Sequence, residues 1–146
     1  MIKIVASEVG KEGSYRYTLS KGLYMDENRN IYLGGITGST SYFSNGKIKT
    51  IGGSEFRYDS YGRLLSISNT LDGNLEFNYY RNGKLLSILG DLFDGVDFSY
   101  NDEGKLVNVV GVPYGNRSMV LSYYPNGKIK RITNTEKGTV DFYWTD

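Results

Sequence analysis

The sequence predicts an all-β protein, an antiparallel meander of tandem β-hairpins with a period of about 21 residues, forming a single curled or twisted sheet. Three observations predict it. First, one rule recurs over Tyr42–Ile51, Tyr58–Ile67, Tyr79–Ile88, Tyr100–Val109 and Tyr123–Ile132: an aromatic, three residues, Gly, a basic residue, an aliphatic, two residues, an aliphatic. Second, the glycines of that rule fall at 46, 62, 83, 104 and 127, at intervals of 16, 21, 21 and 23. Third, the residues before each Tyr alternate with a period of two, as in Leu75-Phe77-Tyr79 against Glu76-Asn78, which is the signature of a strand with one buried face.

Each element follows from this register. Phe56, Phe77, Phe98 and Leu121 stand two residues before their Tyr, and Phe142 stands two before Trp144, which opens a sixth unit. These five side chains are expected to line the buried face, with Glu55, Glu76, Asp97 and Asp141 facing solvent. Asn-Gly in Ser44-Asn45-Gly46-Lys47 and Arg81-Asn82-Gly83-Lys84 supplies the positive φ of a tight reversal. After the turn the aliphatics Leu64 and Ile67 are three apart. They point to opposite faces unless a bulge intervenes, and periodicity leaves both readings open.

Before Tyr42 the repeat decays. Ile2 to Val9 and Tyr15 to Leu19 read as a hairpin around Gly-Lys-Glu-Gly, and Leu23 to Leu33 as a degenerate copy turning at Asp26-Glu-Asn-Arg-Asn30. Gly111 to Asn116 reads as a loop. The chain is therefore expected to be one domain over 1–146, with atypical N-terminal hairpins or a cap over 1–39 and regular repeats over 40–146. Two strands per unit give on the order of 15 strands, more than an open sheet usually carries without curling. No second layer is evident to cover both faces, and the terminal strand at Phe142-Tyr-Trp144 presents a β-forming edge. Self-association, or pairing with a protein partner, is the expectation.

Composition narrows function mainly by exclusion. The chain holds 17 basic and 16 acidic residues, a balance that argues against a nucleic-acid surface. It has no His and no Cys, so no Ser-His-Asp arrangement, imidazole zinc site or disulfide staple is available. No apolar run approaches the ~20 residues of a membrane span. Asp91, Asp94 and Asp97 are spaced unlike a calcium loop, and Asn116-Arg-Ser118 matches a glycosylation acceptor. No catalytic, metal or cofactor site is expected.

Tyr58-Asp59-Ser-Tyr-Gly62-Arg63-Leu64-Leu-Ser-Ile67 resembles the YD repeat of the RHS family, whose units likewise open on Tyr-Asp, turn at Gly and continue Arg-Leu. The resemblance covers about residues 40–146, and only this unit keeps Tyr-Asp itself. RHS proteins wind such hairpins into shells around toxin domains, and teneurins use them extracellularly. For a short array the resemblance implies a non-catalytic scaffold or interaction module, secreted or at a bacterial cell surface. Tyr123-Tyr-Pro-Asn-Gly-Lys-Ile-Lys130 and Tyr42-Phe-Ser-Asn-Gly-Lys-Ile-Lys49 are also similar to MORN-type hairpins, some of which occur in antitoxins.

Two rows of side chains recur. Tyr58, Tyr79, Tyr100 and Tyr123, with Tyr42 upstream, form either core rungs or a platform on which carbohydrate rings stack. Lys47, Arg63, Lys84, Lys105 and Lys128 follow the turns, where a cation discourages edge pairing or meets an acidic partner. A carbohydrate-binding module using the Tyr row and an antitoxin-like binder of one protein are the alternatives to the scaffold reading.

Overall fold

The computed structural model describes residues 3–5, 16–20, 23–26, 28–33, 36–70, 73–91, 93–112, 117–135 and 138–144. Among these every regular element is a strand. The first four, β1 (Lys3–Val5), β2 (Arg16–Ser20), β3 (Leu23–Asp26) and β4 (Asn30–Leu33), form a small sheet in the order β1-β4-β3-β2. The remaining eleven run as one antiparallel meander: β5 (Thr40–Tyr42), β6 (Ile48–Ile51), β7 (Ser54–Tyr58), β8 (Leu64–Thr70), β9 (Gly73–Tyr79) and β10 (Leu85–Gly90). They continue through β11 (Phe93–Tyr100), β12 (Leu106–Val112), β13 (Arg117–Tyr123), β14 (Ile129–Asn134) and β15 (Gly138–Asp141), leaving β5 and β15 as the two edges.

Every regular turn is built alike. In the third unit the Gly83 N–H donates to Tyr80 O at 2.9 Å and the Tyr80 N–H to Lys84 O at 2.7 Å. This is a type I turn closed by a left-handed residue. Gly46, Gly62, Gly83, Gly104 and Gly127 hold that place with φ of 88, 84, 90, 81 and 89°, where a β-branched side chain would be strained.

The ambiguity after the turn is settled by a bulge. Tyr79 pairs with Leu85, but Asn78 pairs with Ser87, so Leu86 is an extra residue in its strand. The same shift makes Lys49, Leu65, Val107 and Lys130 the extra residues of the other units. One inserted residue returns the second aliphatic to the face of the first. Leu85 with Ile88, Leu106 with Val109 and Ile129 with Ile132 are accordingly buried together. Phe56, Phe77, Phe98 and Leu121 share their core, and Glu55, Glu76, Asp97 and Asp141 are exposed. Phe142 differs in being only partly buried. Full burial of one such aromatic contributes about 1.5–3 kcal/mol.

The N-terminal region departs from expectation in two ways. β1 does not pair with β2 as a hairpin; it runs parallel to β4, with Lys3 opposite Asn30 and Val5 opposite Tyr32. Residues 6–15 of that expected hairpin lie outside the described residues. The small sheet also supplies the second layer that periodicity gave no sign of, because β2 lies against β11, β12 and β13. Leu19, Leu23, Met25, Ile31 and Leu33 join the core of the large sheet as one apolar cluster. Sequence patterning could not reveal this, since it reports a face to be buried and not what buries it. Gly111 belongs to β12 instead of a loop, while residues 113–116 lie outside the described residues.

Leu23 to Leu33 is a degenerate unit, as the sequence suggests. The Arg29 N–H donates to Asp26 O at 3.0 Å, and Arg29 itself takes the left-handed place of the glycine at φ 67°. The pairing Leu23–Leu33, Tyr24–Tyr32, Met25–Ile31 carries no bulge.

The contact between layers is tight at one point. A Cβ on Gly111 would stand 2.1 Å from the Leu19 carbonyl oxygen, with no flexible side chain to yield. Gly111→Ala is therefore expected to cost about 1–3 kcal/mol in urea unfolding, whereas Gly53→Ala, whose Cβ meets nothing within 4 Å, leaves the midpoint unchanged. Equal effects would contradict the packing of β2 on β12.

Candidate functional site

The site grows from a single geometric consequence of the turn. Because the Tyr80 N–H bonds Lys84 O, the adjacent pair Tyr79–Leu85 is a non-hydrogen-bonded one, and the Leu85 carbonyl points away from its own hairpin. The ladder to the next unit starts only at Ser87, opposite Asp97. The Leu85 oxygen is instead taken by the hydroxyl of Tyr100, at 2.8 Å. Each unit repeats this: Tyr58 donates to Ile48 O, Tyr79 to Leu64 O and Tyr123 to Leu106 O, at 2.7, 2.6 and 2.5 Å. Trp144 Nε1 donates to Ile129 O at 2.8 Å, confirming its place as the ring of a sixth unit.

The basic row is committed to the same rings. Lys47 Nζ lies 5.5 Å from the centroid of Tyr58, the Arg63 guanidinium 4.6 Å from Tyr79, and Lys84 Nζ 5.5 Å from Tyr100. Lys105 stands 6.0 Å from Tyr123 and Lys128 5.2 Å from Trp144. A cation over a ring contributes about 0.5–1 kcal/mol at exposed sites. The stem passes the next turn where no Cβ stands, with Lys84 Cε 3.1 Å from the position of one on Gly104. The cations are thus neither merely solvated nor independent of the Tyr row.

Within the turn, one side-chain oxygen always receives the N–H of the basic residue. Asn45, Asn82 and Asn126 accept from Lys47, Lys84 and Lys128, each at 3.0 Å. Where no Asn precedes the glycine, the residue after Tyr takes over: Asp59 Oδ1 accepts from Tyr61 and Arg63, and Asn101 Oδ1 from Glu103 and Lys105. The Tyr-Asp dipeptide is therefore one of two solutions to the same Asx-turn requirement. Where Asn does the work, the place after Tyr goes to an aromatic. Phe43 meets Tyr58 edge-on at 6.3 Å, and Tyr80 meets Tyr100 at 5.9 Å.

A groove of about 610 Å³ runs along the turn ends of the second to fifth units. Tyr79, Tyr100 and Tyr123 form its rungs, Leu85 and Leu106 line it between them, and Lys84 and Lys105 edge it. Arg29, from the degenerate turn of the small sheet, closes one end 5.6 Å from the Tyr123 centroid. Sequence reasoning missed Arg29. Its signal was a basic residue standing where the repeat requires glycine.

Tyr58, Tyr79, Tyr100 and Tyr123 are half-buried and packed on the core, and the last three open to the groove. Tyr42 is exposed. Burial pushes all four half-buried phenols above the usual tyrosine range; at Tyr79 the Asp59 carboxylate adds to this, and Arg63 opposes it. Among the acidic trio, Asp91 accepts from the Asn74 N–H at 2.9 Å and Asp97 is exposed. The Asp94 side chain and Asn116 lie outside what is described.

Known proteins carry the same architecture. A model of the MORN repeat variant family matches residues 120–137, the stretch that contains the MORN-like segment Tyr123–Lys130. The Photorhabdus luminescens Tc holotoxin pore, in a mutant form, has a chain similar over 82% of this one and 8% of its own length, with a TM-score of 0.54 at 16% identity. Crystal structures of TcdB2-TccC3-Cdc42 and TcdB2-TccC3-TEV match at a TM-score of 0.52 and 16% identity, over 77% and 82% of this chain. What is shared is the hairpin-repeat fold. This chain spans 7–8% of the chains it matches, and none of the curated proteins matches it.

The rung geometry makes alkaline stability testable. A phenol that keeps its proton to higher pH when folded contributes stability that is complete below about pH 10, the unfolded value. That stability is lost as pH rises through the folded values. Tyr100→Phe should cost about 1 kcal/mol at neutral pH and flatten the alkaline decline in melting temperature. An unchanged alkaline decline would show that the Tyr100 phenol is not held neutral by the fold.

Proposed function

We propose that the chain is a non-catalytic interaction module of YD/RHS-like repeats, in which the Tyr and Trp rungs hold the hairpins together and the groove meets a macromolecular partner. One observation carries this reading. Every rung hydroxyl and the Trp144 indole N–H donates within the fold, yet among the described residues no carboxylate pairs with Lys84 or Lys105 at the groove edge. Such cations are positioned for a partner's charge. The likeness to Tc toxin chains supports the scaffold and interaction reading through the fold alone.

The stacking alternative gains less support. Each rung presents one ring face to a cation and donates its hydroxyl proton to a carbonyl, which leaves a sugar fewer open faces and no free rung donor. Among the described residues β15 is an edge strand, and this chain is expected to self-associate through it. A rise to dimer mass in light scattering across a concentration series is expected, and a monomer throughout would contradict it.

The interaction reading is tested by quantitative affinity capture with the wild-type chain, a Lys84→Glu/Lys105→Glu variant and an outer-face Glu76→Lys/Asp97→Lys variant. Partners retained by the wild type and the outer-face variant but lost by the groove variant are expected. Capture insensitive to the groove, or none at all, would contradict the assignment.

A further inference from the structure

The groove sets a charge period. Lys84 and Lys105 occupy equivalent places in successive units, and equivalent strands lie two strand spacings apart, about 9.6 Å. Arg63, one unit earlier, is already paired with Asp59 at 2.7 Å, so among the described residues Lys84 and Lys105 are the groove-edge members of the basic row with no carboxylate partner. Between them lie the half-buried rings of Tyr100 and Tyr123 and the apolar Leu85 and Leu106. Arg29 adds charge beside Tyr123. A ligand for this surface has to bring carboxylates at that period with apolar matter between them.

A polyproline II helix has that geometry. It repeats every three residues, a rise of about 9.3 Å, so an acid at every third position lies along one edge in step with the lysines. Its other two edges present apolar residues to a ring-lined groove, a general mode of recognition for this conformation. The groove's charged side chains are all cationic donors (Arg29, Arg63, Lys84 and Lys105), and the Asn82 Oδ1 is already taken by the Lys84 N–H. This suits an acceptor-rich acidic segment better than a glycan, whose hydroxyls also need acceptors.

We propose that the groove binds an acidic, proline-rich segment of a protein partner in the polyproline II conformation, with carboxylates three residues apart on Lys84 and Lys105. This rests on the interaction-module reading and names the chemistry of its partner.

The test uses the full chain and a labelled Glu-Pro-Pro repeat peptide in fluorescence anisotropy at low salt, where exposed ion pairs are least screened. A Glu-Pro-Pro-Pro peptide, with acids about 12.4 Å apart and turned off the common edge, serves as the out-of-step probe. A Lys-Pro-Pro peptide tests sign, and polygalacturonate tests the glycan class. The Glu-Pro-Pro peptide is expected to bind about tenfold more tightly than the out-of-step peptide, and to lose about tenfold with Lys84→Gln/Lys105→Gln. Lys84→Arg/Lys105→Arg should retain binding, and Lys-Pro-Pro should not bind.

Equal affinity for the two acidic peptides would overturn the proposal, as would tighter binding of polygalacturonate, or no binding of Glu-Pro-Pro. If the glutamine variant does not fold, the comparison of spacings on the wild-type chain decides. Groove-dependent capture of a partner, together with failure of the spacing test, would remove this inference and leave the interaction module standing.

Discussion

A carbonyl with nowhere to go organises this molecule. The five-residue turn makes the pair just behind it non-hydrogen-bonded, which aims one carbonyl per unit outward, beyond the reach of its own hairpin. A half-buried backbone oxygen without a donor costs about 1–3 kcal/mol. The next unit supplies the donor through its ring hydroxyl, or at the end of the series through the Trp144 indole. Local turn chemistry thereby dictates which residue must stand at the head of the following hairpin. That ring then offers a face to the preceding cation, and the glycine of the next turn leaves room for the stem. Tyr, Gly and the basic residue recur together because each answers a demand made by its neighbours.

Much of this was legible in the sequence, and the reason is its locality. Gly83 and Asn82 declare a turn because φ is a property of a few bonds, and Phe77 with Glu76 declares a buried and a solvent face because pleating has a period of two. The bulge at Leu86 was legible only as an alternative. Leu85 and Ile88 being three apart is equally consistent with a strand buried on both faces, and only pairing with β9 decides. The parallel placement of β1 on β4 left no local mark, and neither did the cover provided by β2. Each depends on a contact between segments remote along the chain, with Gly111 beneath Leu19 as its sharpest expression.

The groove was half legible. Its Tyr row is legible in the sequence as core rungs or a platform, and the rings of Tyr79, Tyr100 and Tyr123 are neither wholly one nor the other: anchored on the core by burial, open at the turn end. The basic row reads as a separate row in the sequence, because side chains 16 or so residues apart, such as Lys84 and Tyr100, meet only when hairpins stack. Arg29 arrives from the other sheet and lay beyond any repeat-based reading. Its left-handed backbone and its position at the groove mouth make one degenerate turn both a cap for the fold and a wall of the site.

The claim that ring hydroxyls hold the outward carbonyls is tested most directly by observing those hydroxyl protons in nuclear magnetic resonance. The account predicts slowly exchanging phenolic protons for Tyr58, Tyr79, Tyr100 and Tyr123, each close in space to the backbone of Ile48, Leu64, Leu85 and Leu106 respectively, while the hydroxyls of the exposed Tyr61 and Tyr143 exchange with water too fast to be seen. Equally rapid exchange at all six would contradict it, and would mean that the hairpins are joined by their strand ladders and apolar face alone.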